Sequence, residues 1–525
     1  MLRATSKANM KKFCIAGPID PARHYFIPHR LQTVKIFTLI DDQEYFVLNA
    51  PRQSGKTTAI DELAQSLNRN GKYTALYINV EAAQAARDNI KDALITIISI
   101  IAREIDRQLH QPHDISQLLL HMIESKPISL DLLTKALAFF AEASNKPLVL
   151  FIDEIDALIG DSLLSVLRQI RAGFKDRPKA FPHSICLVGL RDVRDYRVWS
   201  KEQGIYVSTS SPFNIKAESL TIANFSHEQV RALYRQHTDE TGQLFTEDAL
   251  EHAFYLTQGQ PWLVNALAYQ AAFRDVVDRT IPINKEIIER SKRHLILRRD
   301  THIDSLIDKL NEERVIPIMD AIISSESPFE AFKMDDVQYL RDLGLIAPDS
   351  FAIANPIYME IIPRELTRTT QERIRLDDLS YKNSDGTINF ITVMKEFTQF
   401  YRENAGAWLG DFSYRDAGPH LLLMAYLQRI INGGGDARRE YAVDRKRIDL
   451  LVQWKNQRIV IELKILRDKD SRAKGIAQIA QYCELTATHE AHLVLFDRDV
   501  GKPANERISH SIETIDSLKI QVWTL

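Results

Sequence analysis

A strand, a loop and a helix follow one another near the N-terminus, and this order constrains the fold more than any other feature. Residues 45–48 are an apolar run, residues 50–58 form a polar loop, and apolar side chains recur at helical spacing over residues 57–68. A strand that passes through a short loop directly into a helix is typical of α/β proteins with a parallel sheet. The sequence therefore predicts an α/β fold whose first sheet contains residues 45–48.

The loop has the composition of a phosphate-binding loop, in which backbone N–H groups and a helix N-terminus face a triphosphate. We expect its last six residues to contact ATP: Gln53, Ser54, Gly55, Lys56, Thr57 and Thr58. Lys56 would reach the β- and γ-phosphates, and Thr57 would ligate magnesium. Ala50 stands where such loops usually begin with glycine, which predicts a slightly altered entry geometry. A chance Gly-Lys-Thr in a surface turn is the less favoured alternative.

A second apolar strand, residues 147–152, ends in two acids, Asp153 and Glu154. Its uninterrupted apolar character is typical of a parallel strand buried on both faces. A phosphate-binding loop requires such a partner, because an acid after a neighbouring strand holds the magnesium ion. We expect Asp153 to bind magnesium and Glu154 to act as the general base. The alternative is that both acids only cap the next helix.

A third apolar strand, residues 184–190, leads directly into Arg191. A cation at the carboxyl end of a core strand lies where the γ-phosphate is expected, so Arg191 is a candidate ATP contact. Arg194 and Arg197 are alternatives that would act across a subunit boundary. Ion pairs between these arginines and neighbouring aspartates are an equally favoured interpretation.

The length of 525 residues exceeds a single core and predicts three or four domains. Patterning along the chain divides it into five segments. They are an ATPase core (1–215), a helical lid (216–300), a winged helix (301–366), a polar linker (367–389) and a second α/β domain (390–525). The expected recognition helix of the winged helix has four acids on it or nearby against Arg341 alone, namely Asp335, Asp336, Asp342 and Asp349. This charge favours protein packing over DNA binding.

A second candidate site lies in two strand-like segments, residues 448–452 and 459–464. Asp449 and Glu462 would lie side by side across a tight turn and bind magnesium, which prefers oxygen ligands. Alternation along a strand places Lys464 on the same face as Glu462. A lysine there would orient or activate the hydrolytic water. The alternative is an ordinary Glu–Lys pair on an edge hairpin.

Flanking residues strengthen this second candidate site. An apolar helix over residues 419–427 precedes the strands, and residues 440–443 supply a further strand. Downstream, Gln478 and Tyr482 share one helix face, because they are four residues apart. His420 and Glu440 are less favoured candidates for metal ligands. A histidine at a helix start is more often structural.

Composition excludes some classes of protein and favours one compartment. No run of about eighteen apolar residues occurs, which argues against a membrane span. The chain has only three cysteines, which lack metal-site spacing, and this favours a reducing, cytoplasmic location. Although the net charge is −3, residues 435–474 hold twelve Lys/Arg against seven Asp/Glu. This local excess is sufficient for contact with nucleic-acid phosphates, although many such runs are only solvated faces.

Residues 20–300 resemble a branch of prokaryotic AAA-like ATPases, P-loop proteins of the AAA and STAND type. The resemblance rests on residues 25–28, 50–58, 151–156 and 258–263. It implies an ATPase with ATP and Mg²⁺ as cofactors, a lid helix that follows a Gly-x-Pro turn and faces the nucleotide, and a homo-oligomeric assembly.

Residues 390–525 resemble a PD-(D/E)XK nuclease domain, a restriction-endonuclease-like α/β fold that is often fused to such ATPases. The resemblance rests on four stretches: residues 427–435, 440–441, 447–450 and 462–464. Ile448 replaces the proline that gives the motif its name, whereas the aspartate that carries the chemistry is retained. The spacing of Gln478 and Tyr482 is similar to the RecB-type branch, which implies that both residues position nucleic acid.

The two sites together favour an ATP-regulated, Mg²⁺-dependent nuclease that hydrolyses DNA phosphodiester bonds, with Mn²⁺ as an alternative ion at the second site. A role in defence against foreign DNA rests on analogy with similar fusions alone. The alternative function is a nucleotide-dependent signalling or scaffold ATPase whose nuclease-like domain binds without cutting. A helicase-like translocase is less favoured, because the sequence shows no second motor core and no tandem helicase motifs.

Overall fold

The chain folds into two compact units, one containing Met1–Arg298 and Gln338–Gly344, the other Arg299–Val337 and Leu345–Leu525. The computed structural model describes most of the chain, namely residues 10–109, 114–124, 129–190, 197–200, 205–208, 214–298, 301–324, 332–373, 381–410, 414, 417–431, 435–443, 446–466, 470–497, 508–515 and 517–525. None of the described helices combines the length and the apolar character that a bilayer span requires.

The first unit contains seven strands and ten helices within its described part. The strands are β1 (Tyr45–Asn49), β2 (Thr74–Asn79), β3 (Leu148–Asp153), β4 (Ser184–Gly189), β5 (Arg197–Ser200), β6 (Ile205–Ser208) and β7 (Lys216–Thr221). The helices are α1 (Val34–Asp41), α2 (Lys56–Asn70), α3 (Ile90–Gln108), α4 (Asp114–Glu124), α5 (Leu132–Ala143), α6 (Gly160–Gly173), α7 (His227–Thr241), α8 (Glu247–Thr257), α9 (Pro261–Gln270) and α10 (Lys285–Arg298).

The main sheet of this unit is parallel, with the strand order β2-β3-β4-β1-β7. Strands β1, β3 and β4 are buried along their whole length, because helices cover both faces of the sheet. The prediction of a parallel α/β sheet around residues 45–48 is therefore confirmed. Because parallel strands point the same way, the residues that follow β1 and β3 meet at one edge of the sheet.

Alternate side chains of each strand enter two separate cores. On β2, Leu76 and Ile78 pack with α3, α5 and α6, whereas Ala75 and Tyr77 pack on the side of α1 and α2. Strand β7 joins the sheet at its edge, although the sequence assigns residue 216 to the lid. Its residues are half-buried or exposed, and its sequence lacks the apolar run that identifies the central strands.

Helices α7–α10 lie in the segment that the sequence predicts to be a lid, and the segment before β1 packs against them. The Tyr25 hydroxyl and His237 Nδ1 are 3.3 Å apart, and the indole N–H of Trp262 donates to the Ile15 carbonyl at 3.0 Å. These contacts fix the segment before β1 against α7 and α9. Residues 15–25 and these helices are therefore packed together within the first unit.

The second unit contains helices α11 (Thr301–Leu310), α12 (Ile316–Ser324), α14 (Pro356–Leu366), α15 (Arg368–Arg373), α16 (Phe390–Gly410), α17 (Gly418–Ile431) and α18 (Asp470–Thr486), and the division between the units falls within α13 (Met334–Asp342). Its strands are β8 (Gly435–Val443), β9 (Lys446–Trp454), β10 (Gln457–Leu466), β11 (Glu490–Asp497), β12 (Ser509–Ile515) and β13 (Leu518–Thr524).

These six strands form one mixed sheet with the order β12-β13-β11-β10-β9-β8. Strands β8, β9 and β10 form an antiparallel meander, and β11 pairs in parallel with β10 after the crossover helix α18. Helices α16 and α17 cover one face, where Ile459 and Ile461 are buried. Helix α18 covers the other face, where Val460 packs with Tyr482.

The segment expected to be a linker is partly structured. It contains α15, and residues 381–389 are tied to the β9–β10 hairpin. The Ile388 N–H donates to Gln457 Oε1 at 2.6 Å, and the Trp454 indole N–H donates to the Gly386 carbonyl at 3.1 Å. These hydrogen bonds join residues far apart in sequence, which local polarity does not reveal. In the expected winged helix, the described strand pairing is a single bridge between Ile346 and Ile353.

Candidate functional site

The loop between β1 and α2 has a backbone that suits phosphate binding. Gly55 and Gln53 have φ angles of 81° and 58°, in the left-handed region that favours glycine. Helix α2 begins at Lys56 without a side-chain cap, so its first N–H groups point outward for an anion. Lys56 is only 6 % exposed. Ala50 is buried and its N–H donates to the Gly189 carbonyl at 3.2 Å, so the small residue fits.

The loop opens onto a cavity of about 520 Å³ within the first unit. Of the six ATP contacts predicted in the loop, all except Ser54 line it. Ser54 is buried, and its hydroxyl has no hydrogen-bond partner among the described residues. The opposite wall consists of residues 14–19 and Trp262. The volume and the mixture of polar and apolar walls suit a nucleotide.

Arg30 lines the same cavity and holds the loop by a hydrogen bond to its backbone, a contact that no sequence pattern predicts. Its Nη1 donates to the Ser54 carbonyl at 2.6 Å and its Nη2 to the Ala223 carbonyl at 2.7 Å. The guanidinium lies over the Phe225 ring, 4.6 Å from the centroid, and burial lowers the pKa of Arg30 to about 10. The partners are 24 and 193 residues away in sequence, so no local pattern could identify them.

Asp153 is fully buried at the end of β3 and has three hydrogen-bond donors. Its Oδ2 accepts from the Thr57 hydroxyl and from the Tyr77 hydroxyl, both at 3.0 Å, and its Oδ1 accepts from the Glu154 N–H at 2.9 Å. The structure thus brings together the two residues predicted to hold magnesium, Thr57 and Asp153. Tyr77 was missed, because a tyrosine in an apolar strand resembles an ordinary core residue. Burial, followed by the charge of Asp153, raises the pKa of Tyr77.

Glu154 follows Asp153 with a φ of 57° and faces the cavity. Its Oε1 lies 3.6 Å from Lys56 Nζ. Burial raises the pKa of the Glu154 carboxyl; the Lys56 charge opposes this shift, and the nearby Asp153 supports it. A carboxylate beside the phosphate site with a raised pKa suits the role of a base. Arg191 and Arg194 lie outside the described residues, as does the side chain of Arg197.

The second candidate site lies on the face of the mixed sheet that α18 covers. Asp449 on β9 and Glu462 on β10 follow the register that pairs Leu450 with Ile461. Asp449 Oδ2 accepts from the Leu463 N–H at 2.9 Å. Lys464 Nζ lies 2.8 Å from Glu462 Oε1. The structure therefore brings Asp449, Glu462 and Lys464 together at one place.

Glu462 is the deeply buried carboxyl of this site. It is 1 % exposed, and its Oε2 has no hydrogen-bond partner in the part of the chain that the structure describes. Burial and the Asp449 charge raise the pKa of Glu462 to about 8, against the lowering effect of Lys464. A buried carboxylate oxygen without a donor is costly, and a divalent cation between Asp449 and Glu462 would compensate for it. The donor set therefore fits a magnesium ion.

Two further predicted residues, Tyr482 and Gln478, lie on α18, the helix that covers this face. Tyr482 is buried on α18, and burial, with the charges of Glu462 and Asp449, raises its pKa to about 12. Gln478 lies one turn earlier on the same helix and is half-buried. His420 is buried with its ring 5.5 Å from the Phe496 ring. Among the described residues, no three His, Cys, Asp or Glu side chains form a metal-binding group; the Glu440 side chain is not described.

Comparison with known proteins covers the part of the chain that contains the first of these sites. Residues 16–358 match the AAA-like domain family, whereas no curated protein sequence matches the chain. The solved Walker-type ATPase PABY2304 of Pyrococcus abyssi is 14 % identical, with 67 % of this chain and 99 % of that chain covered and a TM-score of 0.46. The Aeropyrum pernix ORC2 protein in its ADPNP–ADP complexes is 14 % identical, with 66 % and 96 % covered and a TM-score of 0.40.

A third solved structure, Cdc6p from Pyrobaculum aerophilum, is 13 % identical, with 77 % of this chain and 95 % of that chain covered and a TM-score of 0.35. The family match covers well over half of the chain and contains the phosphate-binding loop, Asp153 and the lid helices. The chain therefore belongs to the AAA-like domain family.

Proposed function

We propose that this chain is an ATP-regulated, Mg²⁺-dependent nuclease that hydrolyses DNA phosphodiester bonds. The observation that carries the nuclease part is the convergence of Asp449, Glu462 and Lys464, in which a buried Glu462 oxygen lacks a donor among the described residues. Two carboxylates beside an ammonium group are the elements that metal-dependent phosphodiester cleavage requires.

In this proposal, Asp449 and Glu462 hold a divalent cation, with Mn²⁺ as an alternative to Mg²⁺. The bound ion supplies polarisation of the phosphodiester and a lowered pKa of the attacking water. Lys464 keeps an ammonium group next to the reacting phosphate, where it neutralises the charge that develops. Gln478 and Tyr482 border the site on α18 and position the nucleic acid.

The order of elements in the second unit supports a PD-(D/E)XK nuclease domain. Helix α17 precedes three antiparallel strands, and α18 then leads to β11, which is parallel to β10. The acids stand on the second and third strands, and the lysine stands two residues after the second acid. The motif thus lies on adjacent strands that bring its three side chains together.

The ATP site supplies the regulation in this proposal. Residues 53–58 cradle the phosphates, and Thr57 and Asp153 hold the magnesium ion of the nucleotide. Glu154 accepts a proton from the attacking water, and Arg191 contacts the γ-phosphate. Hydrolysis would reorganise the lid, because the cavity is closed by residues of both the N-terminal segment and α9. The proposal also includes assembly as a homo-oligomer and a role in defence against foreign DNA. Both parts rest on analogy alone.

DNA cleavage by the full-length protein tests the proposal. Supercoiled and linear DNA would be incubated with Mg²⁺, with and without ATP, and with wild-type protein, Asp449→Ala or Lys464→Ala. We expect each substitution to reduce cleavage by more than about 100-fold, because charge stabilisation at the phosphate is lost. Lys455→Ala is the matched control, since Lys455 is an exposed lysine in the turn of the same hairpin.

Equal cleavage by all four proteins would remove the nuclease assignment. DNA binding without cleavage by the wild-type protein, together with nucleotide-dependent assembly, would support the signalling or scaffold ATPase instead. If DNA cleavage by Lys56→Ala no longer responds to ATP but keeps the rate measured without ATP, the two sites are coupled through bound nucleotide.

A further inference from the structure

Asp153, the proposed magnesium ligand of the ATP site, accepts hydrogen bonds from strand β2 as well as from helix α2, which follows the phosphate-binding loop. Asp153 Oδ2 accepts two hydrogen bonds of equal length, from Thr57 on α2 and from Tyr77 on β2. A Thr57 hydroxyl that ligated magnesium would use an oxygen lone pair and would keep its O–H for Asp153. The Tyr77 hydroxyl is a second, buried donor to the same carboxylate oxygen, and it holds Asp153 from β2.

Tyr77 stands on an edge strand, where backbone position is least constrained. Strand β2 has β3 as its neighbour on one side and is the last strand of the sheet on the other. Edge strands present unpaired N–H and C=O groups. Tyr77 pairs in register with Phe151, two residues before Asp153. Its hydroxyl therefore reaches Asp153 only while β2 keeps this position.

A side chain from the helical insertion between β2 and β3 forms hydrogen bonds with the backbone N–H and C=O groups of Tyr77, which face the open edge of the sheet. Gln108, the last residue of α3, accepts from the Tyr77 N–H at 3.1 Å and donates to the Tyr77 carbonyl at 2.7 Å. The amide thus replaces a neighbouring strand at one residue. Gln108 also donates to Glu104 Oε2 at 2.8 Å, and Glu104 is buried.

We propose that Tyr77 and Gln108 are positioning residues that connect the helical insertion to the magnesium-binding aspartate of the ATP site. Gln108 fixes the backbone of Tyr77, and the Tyr77 hydroxyl fixes Asp153 Oδ2. Neither residue touches the nucleotide phosphates, because neither lines the cavity. The inference rests on the proposed role of Asp153, and it predicts an effect on magnesium use and not on nucleotide affinity as such.

Magnesium-dependent binding of a fluorescent ATP analogue to the full-length protein tests the first step. Tyr77→Phe removes one hydroxyl and keeps the ring, so we expect the Mg²⁺ concentration for half-maximal binding to rise roughly three- to tenfold. Binding in the presence of EDTA should be unchanged. Tyr45→Phe is the matched control, because Tyr45 is a buried tyrosine of the same sheet whose hydroxyl donates to the Pro182 carbonyl at 2.8 Å.

Gln108→Ala tests the second step, with Thr96→Ala as a control on the exposed face of α3. We expect Gln108→Ala to raise the magnesium requirement in the same direction. Because Gln108 acts through Tyr77, the double variant should show no further change beyond Tyr77→Phe.

Three outcomes are distinguishable. Equal magnesium requirements for Tyr77→Phe and Tyr45→Phe would overturn the role of Tyr77, even if both variants lose thermal stability. Additive effects of Tyr77→Phe and Gln108→Ala would overturn the connection between them. Absence of any nucleotide binding by the wild-type protein would instead refute the proposed ATP site itself.

Discussion

Lys464 Nζ lies 2.8 Å from Glu462 Oε1, yet the pKa of Glu462 is raised to about 8. An ammonium group at this distance lowers the pKa of a carboxyl, so the burial of Glu462 and the Asp449 charge outweigh it. The second oxygen of Glu462 has no donor among the described residues. Lys464 therefore compensates only one oxygen of the buried Glu462 carboxylate, and a bound cation would compensate the other.

This imbalance predicts a pH dependence of metal binding. A metal ion binds the deprotonated carboxylate, so protons compete with it below the pKa of about 8. The apparent affinity for Mn²⁺ or Mg²⁺ should rise roughly tenfold per pH unit between pH 6 and pH 8 and then level off. Calorimetric titration of the nucleotide-free protein in buffers of different ionisation enthalpy measures both the affinity and the protons released.

Two variants control this titration. Glu462→Gln cannot release a proton, so we expect weak binding that no longer changes with pH. Glu484→Gln removes an exposed carboxylate from α18 and should behave as wild type. A steep pH dependence that persists in Glu462→Gln would assign the titration to another group.

The backbone of Gly55 gives a second prediction. A methyl group there would lie 2.8 Å from Arg30 Nη1, and the φ of 81° is unfavourable for alanine. Gly55→Ala should therefore abolish binding of fluorescent ATP. Gly71→Ala, at the other end of α2, has a similar φ of 80° but a contact no closer than 3.7 Å.

Both glycine variants should lose about 1 kcal/mol or more of stability from backbone strain, as a thermal unfolding experiment would detect. Nucleotide binding separates them, because only Gly55 borders the cavity. Equal nucleotide affinity of the two variants would contradict the assignment of residues 53–58 as the phosphate-binding loop.

Arg30 provides a third prediction. Arg30→Met leaves the Ser54 and Ala223 carbonyls without their donor, so the loop should lose its conformation and ATP affinity should fall roughly tenfold or more. Arg177→Met is the control, because Arg177 also stacks on an aromatic ring, that of Phe174, but lies away from the cavity. Similar ATP affinities of the two variants would show that Arg30 has no specific role at the loop.

The sequence was sufficient to predict the candidate site residues whose positions depend on their immediate neighbours in the chain. The phosphate-binding loop lies between a strand and a helix, and Asp153 ends an apolar strand, so both positions follow from a few consecutive residues. The same holds for Glu462 and Lys464, because alternation along one strand places them on one face. Asp449 required one more step, the pairing of β9 with β10 across a two-residue turn.

The sequence was insufficient where a contact joins distant segments. Arg30, Tyr77 and Gln108 act through partners on other elements, and none of them stands in a motif. The tie between residues 381–389 and the β9–β10 hairpin is of the same kind, since Gln457 and Trp454 supply the hydrogen bonds. Strand β7 is half-buried at the sheet edge and therefore lacks a clear apolar pattern.

Glu154 gives the last prediction, which concerns ATP hydrolysis. Burial raises the pKa of Glu154, and the charges of Asp153 and Asp156 support the shift, whereas Lys56 opposes it. A base loses activity as pH falls through its pKa, so kcat/KM for ATP should decline at a higher pH than an ordinary glutamate would require. Glu154→Gln should bind ATP and lower kcat by roughly 100-fold or more.

Asp156→Asn removes one of the charges that raise the Glu154 pKa, so the acidic limb of the pH profile should move to lower pH. A wild-type rate in Glu154→Gln would assign the base to another residue, and an unshifted limb in Asp156→Asn would show that a different group titrates.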